Sequence, residues 1–190
     1  MTRSALLVAI LALPLAGVPA SAGNVKLFFG GKTLNSGDWS PVQRQGEGGV
    51  EIDLFEHWPV ALAIDFMRSR GDKLMDVPAK GLTDVNGNTS ELDLGVRKPF
   101  RPGQKSRPFI EGGLALVRAE YSTRDSLGKV SDSSGSTGLW LGGGVYWTLG
   151  TAFDLGFELR LSAARASLFG KTVDAGGRHF GMVLGYHWGA

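Results

Sequence analysis

The chain has 190 residues, of which 43% are hydrophobic and 20% are charged, a composition that excludes a wholly disordered chain and fits one folded domain. Its 20 Lys and Arg residues are nearly balanced by 18 Asp and Glu residues, so the sequence offers no broad basic face and nucleic acid is not an expected partner. No cysteine is present, which excludes disulfides, thiolate metal sites and cysteine nucleophiles.

The first 22 residues have the composition of a secretory signal peptide. Arg3 supplies a positive charge, residues 5–18 are largely apolar, and an Ala-Ser-Ala sequence that ends at Ala22 matches a cleavage site. A membrane anchor or a buried helix is the alternative, but the apolar run is short for a bilayer span of about 20 residues. We therefore predict a signal peptide over residues 1–22 and one exported domain over residues 23–190.

After residue 23, apolar residues alternate with polar or small ones, as in a strand with two different faces. The clearest case sets Val50, Ile52 and Leu54 against Glu51 and Asp53. The pattern predicts eight strands, and the first and fifth are irregular enough for a bulge. The eight segments are centred on residues 25–29, 50–54, 60–66, 91–97, 110–116, 139–149, 153–162 and 179–188.

The connections between these segments alternate between short and long. The predicted short turns lie at residues 57–59, 100–107 and 150–151, and the predicted long loops at residues 35–46, 69–89, 123–136 and 168–177. The long segments are rich in Gly, Ser, Asp and Asn, which is typical of solvated loops. Short turns at one end and long loops at the other are characteristic of outer-membrane barrels, in which the turns face the periplasm.

The small residues on the polar face favour a membrane barrel over a soluble fold. Gly95, Gly113, Gly142 and Gly156 alternate with bulky apolar residues, and small side chains are needed inside an eight-stranded barrel whose bore barely holds side chains. We predict an all-β fold, an eight-stranded antiparallel up-and-down transmembrane β-barrel. A periplasmic or secreted β-sandwich and a lipocalin-like barrel are the alternatives, because their strands also alternate.

Charged residues of both signs share the face of these glycines, and a closed interior requires them to pair because an isolated buried charge is costly. We predict a polar network in the lumen made of Lys26, Glu51, Asp53, Asp65, Glu91, Asp93, Arg97, Glu111, Glu158, Arg160, His179 and His187. Aromatic residues gather near the strand ends, as interfacial girdles require. The predicted membrane-interface aromatics are Trp58, Trp147, Tyr186 and Trp188.

Two segments resemble the small outer-membrane barrels of the outer membrane protein A-like type. Residues 107–114, Arg-Pro-Phe-Ile-Glu-Gly-Gly-Leu, are similar to the opening of the fifth strand in that family, and residues 181–188, Gly-Met-Val-Leu-Gly-Tyr-His-Trp, to its aromatic C-terminal strand. The resemblance implies a porin-like barrel in a Gram-negative outer membrane, with its last strand recognised by the barrel-insertion machinery. Such chains usually end on the aromatic residue, whereas Gly189 and Ala190 follow Trp188 here.

Some small barrels are lipid A deacylases, which this chain resembles in size and in the Pro-Phe-Ile-Glu element. Those enzymes use a His-x-Ser pair with a nearby Glu, and no His-x-Ser occurs in this sequence. Ser162, His179 and Glu158 are all predicted to face inward and form a weak alternative site, although such residues are also ordinary lumen fillers. We expect no enzymatic activity.

We predict a structural or surface-interaction role, with the long loops as a recognition surface for an extracellular ligand and outer-membrane lipid around the barrel. A lipid A-modifying hydrolase and a narrow channel or carrier for small molecules are the alternatives. With three histidines and no Asp cluster in a Ca²⁺-loop pattern, no metal or cofactor is predicted.

Overall fold

The structure is a computed structural model that describes residues 22–35, 37–55, 59–78, 81–100 and 104–188. Residues 1–21 of the predicted signal peptide lie outside these ranges, so the signal peptide and its cleavage site stay predictions. Among the described residues, no helix has the length and apolar character that crossing a membrane requires.

Antiparallel strands make up most of the described chain. They are β1 (Gly23–Leu34), β2 (Arg44–Leu54), β3 (Ala61–Val77), β4 (Gly81–Pro99), β5 (Ser106–Asp125), β6 (Gly128–Leu149), β7 (Phe153–Leu168), β8 (Lys171–Asp174) and β9 (Gly177–Trp188). Each strand from β1 to β7 pairs with the next, and β9 pairs with both β7 and β1, so the sheet closes. The short β8 pairs with the far end of β7 and continues the line of β9. The predicted eight-stranded antiparallel barrel is confirmed.

The register of the strands sets the tilt of the barrel. A line of paired Cα atoms that leaves β1 at Gly23 returns to β1 at Thr33, ten residues further along the strand. Its intermediate partners are Leu54, Leu62, Val96, Gly112, Leu141, Leu161 and Arg178. Such a displacement in an eight-stranded barrel corresponds to strands inclined by about 40° to the barrel axis.

The alternation of the sequence becomes an inside and an outside. On β7, Glu158 and Arg160 are buried in the lumen, whereas Leu159 and Leu161 are exposed on the outer face. The same apolar outer face continues around the barrel, and its exposed members include Leu27, Phe29, Leu62, Phe66, Leu92, Leu94, Ile110, Leu114, Leu139, Leu141, Phe157, Phe180 and Leu184. A continuous apolar surface of this kind is stable against lipid and not against water. The barrel therefore spans a membrane.

Two of the predicted long loops are wrong. β3 continues to Val77 and β4 begins at Gly81, and β5 continues to Asp125 and β6 begins at Gly128. Residues 69–77 therefore pair with residues 81–89, and residues 117–125 pair with residues 128–136. These segments are polar because water contacts both faces of the ribbon, and their composition does not mean that strand pairing ends there. The segment 35–46 contains a 3₁₀ helix, Gly37–Trp39, and the segment 168–177 contains β8.

Close approach of β4 and β5 requires glycine at Gly95 and Gly113, which are register partners. A Cβ atom on Gly113 would collide with the carbonyl oxygen of Leu94 and with Cα of Gly95, and both contacts are backbone atoms that cannot move aside.

We expect Gly113→Val to prevent closure of the barrel, because the collision is with the neighbouring strand itself. Gly46→Val is the matched control, since a Cβ atom on Gly46 meets nothing within 4 Å. The measurement is the difference in gel mobility between boiled and unboiled samples after refolding into detergent. A normal shift for Gly113→Val would contradict the prediction.

Candidate functional site: the lumen and its extracellular mouth

Arg97 lies at the centre of the charged network in the periplasmic half of the lumen. Its Nε donates to Glu111 Oε2 at 2.6 Å, and its Nη2 lies 3.1 Å from Glu51 Oε2 and 3.4 Å from Asp65 Oδ2. It also forms an ion pair with Asp53. The guanidinium group therefore connects carboxylates from three other strands, β2, β3 and β5.

Arg160 also pairs with several carboxylates, nearer the extracellular end of the lumen. Its Nη1 donates to Asp93 Oδ2 at 2.8 Å, and its Nη2 donates to Asp65 Oδ2 and to Glu158 Oε1, each at 2.8 Å. Glu111 Oε1 lies 3.3 Å from the same nitrogen. Because Asp65 and Glu111 contact both arginines, the two clusters form one network across the bore.

Two lysines extend the network towards the two ends of the barrel. Lys26 pairs with Asp53 on the periplasmic side, where β1 begins and β9 ends. Lys32 pairs with Glu91 on the extracellular side and donates to Thr89 Oγ1 at 3.0 Å. Lys32 was not among the predicted residues, because the predicted first strand stops at residue 29, three residues before it.

The structure thus brings together all the predicted lumen residues except His187, which lies apart at the periplasmic mouth. His187 is half-buried, and its Nδ1 lies 3.1 Å from Asp154 Oδ2. Asp154 also accepts a hydrogen bond from Arg107 Nη2 at 2.5 Å. Among the described residues, no group of three or more His, Cys, Asp or Glu side chains is arranged to hold a metal ion.

Trp39 closes the extracellular side of the lumen. It lies in the 3₁₀ helix Gly37–Trp39, it is 1% exposed, and its Nε1 donates to the carbonyl oxygen of Asp174 at 2.7 Å. It belongs to an apolar cluster with Leu34, Ala63, Ala115, Val117, Ala119, Trp140, Ala164, Ala166, Leu168, Val173 and Ala175. One sequence signal points to this cap, a single aromatic residue in a segment with Gly and Ser residues, and sequence reasoning missed it.

A serine, a histidine and a carboxylate form a hydrogen-bonded chain beneath this cap. Ser162 Oγ lies 3.0 Å from His179 Nε2, and His179 Nδ1 lies 2.9 Å and 3.0 Å from the two oxygens of Glu47. The prediction that Glu158 completes this group is wrong. Glu158 faces inward two residues before Arg160 and binds that arginine, whereas Glu47 reaches His179 from β2, which is separated from β9 only by β1.

The predicted interface aromatics lie at the periplasmic ends of β6 and β9. Trp147 and Tyr186 are exposed on the outer face, where their rings contact Phe157 and Phe153 edge-on at 6.1 Å and 5.6 Å between centroids. Trp188 is half-buried at the end of β9. Trp58 lies outside the described residues.

The fold is that of solved outer-membrane barrels. Ail of Yersinia pestis, in complex with the heparin analogue sucrose octasulfate, matches with a TM-score of 0.62 and 12% identity over 88% of this chain and 99% of that chain. OprG of Pseudomonas aeruginosa matches with a TM-score of 0.61 and 12% identity over 92% of this chain and 99% of that chain. Neisserial surface protein A matches with a TM-score of 0.53 and 14% identity over 92% of this chain and 99% of that chain.

The chain is a small outer-membrane β-barrel. At these identities the likeness establishes the fold, and the apolar outer belt with a charged, closed lumen places this barrel in a bacterial outer membrane. No protein-family model and no curated protein sequence matches the chain.

Replacing Arg160 with methionine keeps the apolar stem but leaves Asp65, Asp93 and Glu158 without their shared cation. We expect this outer-membrane barrel to lose about 3–5 kcal/mol of its free energy of unfolding, because removing one partner strands buried charge. Arg165→Met, an exposed position on the same strand, is the control. The measurement is urea unfolding in detergent followed by tryptophan fluorescence, and equal midpoints for the two variants would refute the expectation.

Proposed function

We propose that this protein is a sealed membrane scaffold that presents two raised β-hairpins, β3–β4 and β5–β6, as a recognition surface outside the cell. The observation that carries the proposal is the continuation of strand pairing far above the apolar belt. Register pairs run from Arg68 with Ser90 up to Val77 with Gly81, which is roughly 30 Å of strand beyond the last lipid-facing residues. A ribbon of this length is unnecessary for spanning a membrane.

Exposed apolar side chains at the hairpin tips support contact with a partner. Leu82 is 67% exposed near the β3–β4 turn, and Leu127 is 86% exposed in the β5–β6 turn. Both lie above the lipid-facing belt, where water surrounds them. Apolar side chains held in water on a rigid ribbon can contribute binding energy with a small loss of conformational freedom.

The flanks of the same hairpins are polar. A depression of roughly 270 Å³ on them is lined by Arg70, Asp84, Asn86, Asn88, Glu120, Ser122, Arg124 and Lys129. Arg70, Arg124 and Lys129 give this depression cations that can meet sulfate groups. Because the structurally similar Ail was solved with a heparin analogue, sucrose octasulfate is the first small probe for this surface.

The side chains that fill the lumen favour the role of a scaffold and oppose that of a channel. Arg97 and Arg160 bridge carboxylates from opposite walls, and Trp39 covers the extracellular mouth. An eight-stranded bore barely holds side chains, so conduction would require this network to rearrange. We also propose that β9, which closes the barrel against β1 and ends at Trp188, is the strand that the barrel-insertion machinery binds.

Shortening the β3–β4 hairpin in register tests the recognition role. Deleting residues 72–76 together with residues 82–86 removes five register pairs and keeps the turn. We expect the variant to fold, with a normal gel shift on boiling, but to lose adherence to cultured epithelial cells and to immobilised heparin when displayed on bacteria. Asp76→Asn, a change at an exposed position of the same ribbon outside the depression, is the control. Full adherence by the shortened variant would remove this hairpin as the recognition surface.

A serine hydrolase is the second candidate, and the hydrogen-bonded chain from Ser162 through His179 to Glu47 is the observation that favours it. A hydroxyl within reach of an imidazole that is oriented by a carboxylate has the geometry of an activated nucleophile. The backbone N–H of Gly177 also donates to Ser162 Oγ at 3.1 Å. Burial of Ser162 and His179 beneath Trp39 opposes the candidate, because a substrate would need the cap to open.

Trp39→Ala removes the cap and separates the two candidates. If Ser162 is a nucleophile, Trp39→Ala hydrolyses p-nitrophenyl esters faster than the unmodified protein, and Trp39→Ala/Ser162→Ala returns the rate to background. For a sealed scaffold we expect all three proteins to show the background rate. The measurement is p-nitrophenolate release by barrels in the same detergent.

A further inference from the structure

The lipid-facing belt ends on the extracellular side in arginines. On β3 the exposed Phe66 is followed, two residues further up the same face, by Arg68. On β5, Leu116 is followed in the same way by Arg118. These four side chains all point outward, so each arginine lies directly above an apolar residue of its own strand.

Strand pairing arranges these arginines in rows. Ser90 is the register partner of both Arg68 and Arg118, which makes one row across β3, β4 and β5. Thr33 is the register partner of both Arg44 and Arg178, which makes a second row across β2, β1 and β9. We call these the two arginine rows. In each, two exposed arginines flank a hydroxyl residue, with their Cα atoms about 10 Å apart because neighbouring strands are about 4.8 Å apart.

Apolar surface lies directly below the first row, and below the second row the next outward row is Gly46, Gly31 and the exposed Phe180. Under the Arg68–Ser90–Arg118 row the next outward row is Phe66, Leu92 and Leu116, and all three are exposed. Beside the second row lies a groove of roughly 870 Å³, whose wall includes Leu139 and Leu161 and whose edge includes Arg178. The arginines therefore occupy the level at which lipid acyl chains end and lipid headgroups begin.

The opposite end of the barrel differs. There the outer face carries the aromatic residues Trp147 and Tyr186, and the exposed cations among the described residues are the lysines Lys98 and Lys105. Arginine differs from lysine in presenting a planar fork of donors that matches two oxygens of a phosphate group. Within the described ranges, exposed arginines therefore meet the outer leaflet, and exposed lysines meet the inner one.

We propose that the two arginine rows bind the phosphate groups of lipid A, the phosphorylated glycolipid of the outer leaflet, while its acyl chains lie on the apolar surface below. Each row offers two guanidinium groups and one hydroxyl donor to one phosphorylated headgroup. A protein partner would need to descend to the bilayer surface to reach the rows, whereas a lipid headgroup is already at that level. The site is separate from the raised hairpins and does not depend on their role.

The experiment measures binding of diphosphoryl lipid A to the full barrel in nanodiscs of phosphatidylcholine. The variants are Arg68→Gln/Arg118→Gln and Arg44→Gln/Arg178→Gln, one for each row. Lys98→Gln/Lys105→Gln is the control, since it removes the same net charge from the exposed periplasmic end. We expect each row variant to weaken binding by about tenfold or more, because charge-assisted hydrogen bonds to phosphate are lost, and the control to bind as the unmodified protein does.

A second measurement uses the unmodified protein alone, so it does not depend on any variant folding. Dephosphorylated lipid A should bind at least about tenfold more weakly than the diphosphoryl form, and binding of the latter should fall as salt is raised. Equal binding of the two lipids would overturn the proposal. So would equal losses in the row variants and in the lysine control, because that result would mean a response to net charge only.

Discussion

Closure of the sheet is the constraint on which the rest of this molecule depends. Once β9 pairs with β1, every second side chain enters a bore with no bulk water, and charged residues there must find partners among one another. Arg97 and Arg160 meet this requirement by bridging carboxylates that reach them from β2, β3, β4, β5 and β7. The paired glycines Gly95 and Gly113 let β4 and β5 approach closely beside this network.

The same closure determines what each face can do. The interior is filled by ion pairs and covered by Trp39, so the barrel is a firm base for the hairpins that extend above it. The outer face changes with height, from aromatic residues at the periplasmic end, through a broad apolar belt, to arginines and then to polar ribbons. The two roles that we propose, recognition by the hairpins and retention of lipid by the arginine rows, use different levels of this one surface.

The chain from Ser162 through His179 to Glu47 shows how similar a filled lumen and an active site can be. Interior polar residues must satisfy one another, so a histidine between a hydroxyl and a carboxylate arises from the same requirement that pairs Lys32 with Glu91. What separates the two is access, which is why removal of Trp39 is the informative experiment.

The sequence by itself determined the strands, their number and the two faces, because a period of two is a local property that each segment carries alone. It also determined which charges face inward, since Glu158 and Arg160 are two residues apart and therefore lie on the same face of their strand. Only the tertiary structure decided which charges meet. Glu47 and His179 are 132 residues apart, and their contact depends on the stagger of the closed sheet. That stagger also brings Arg44 and Arg178 to either side of Thr33, a row that no single segment contains.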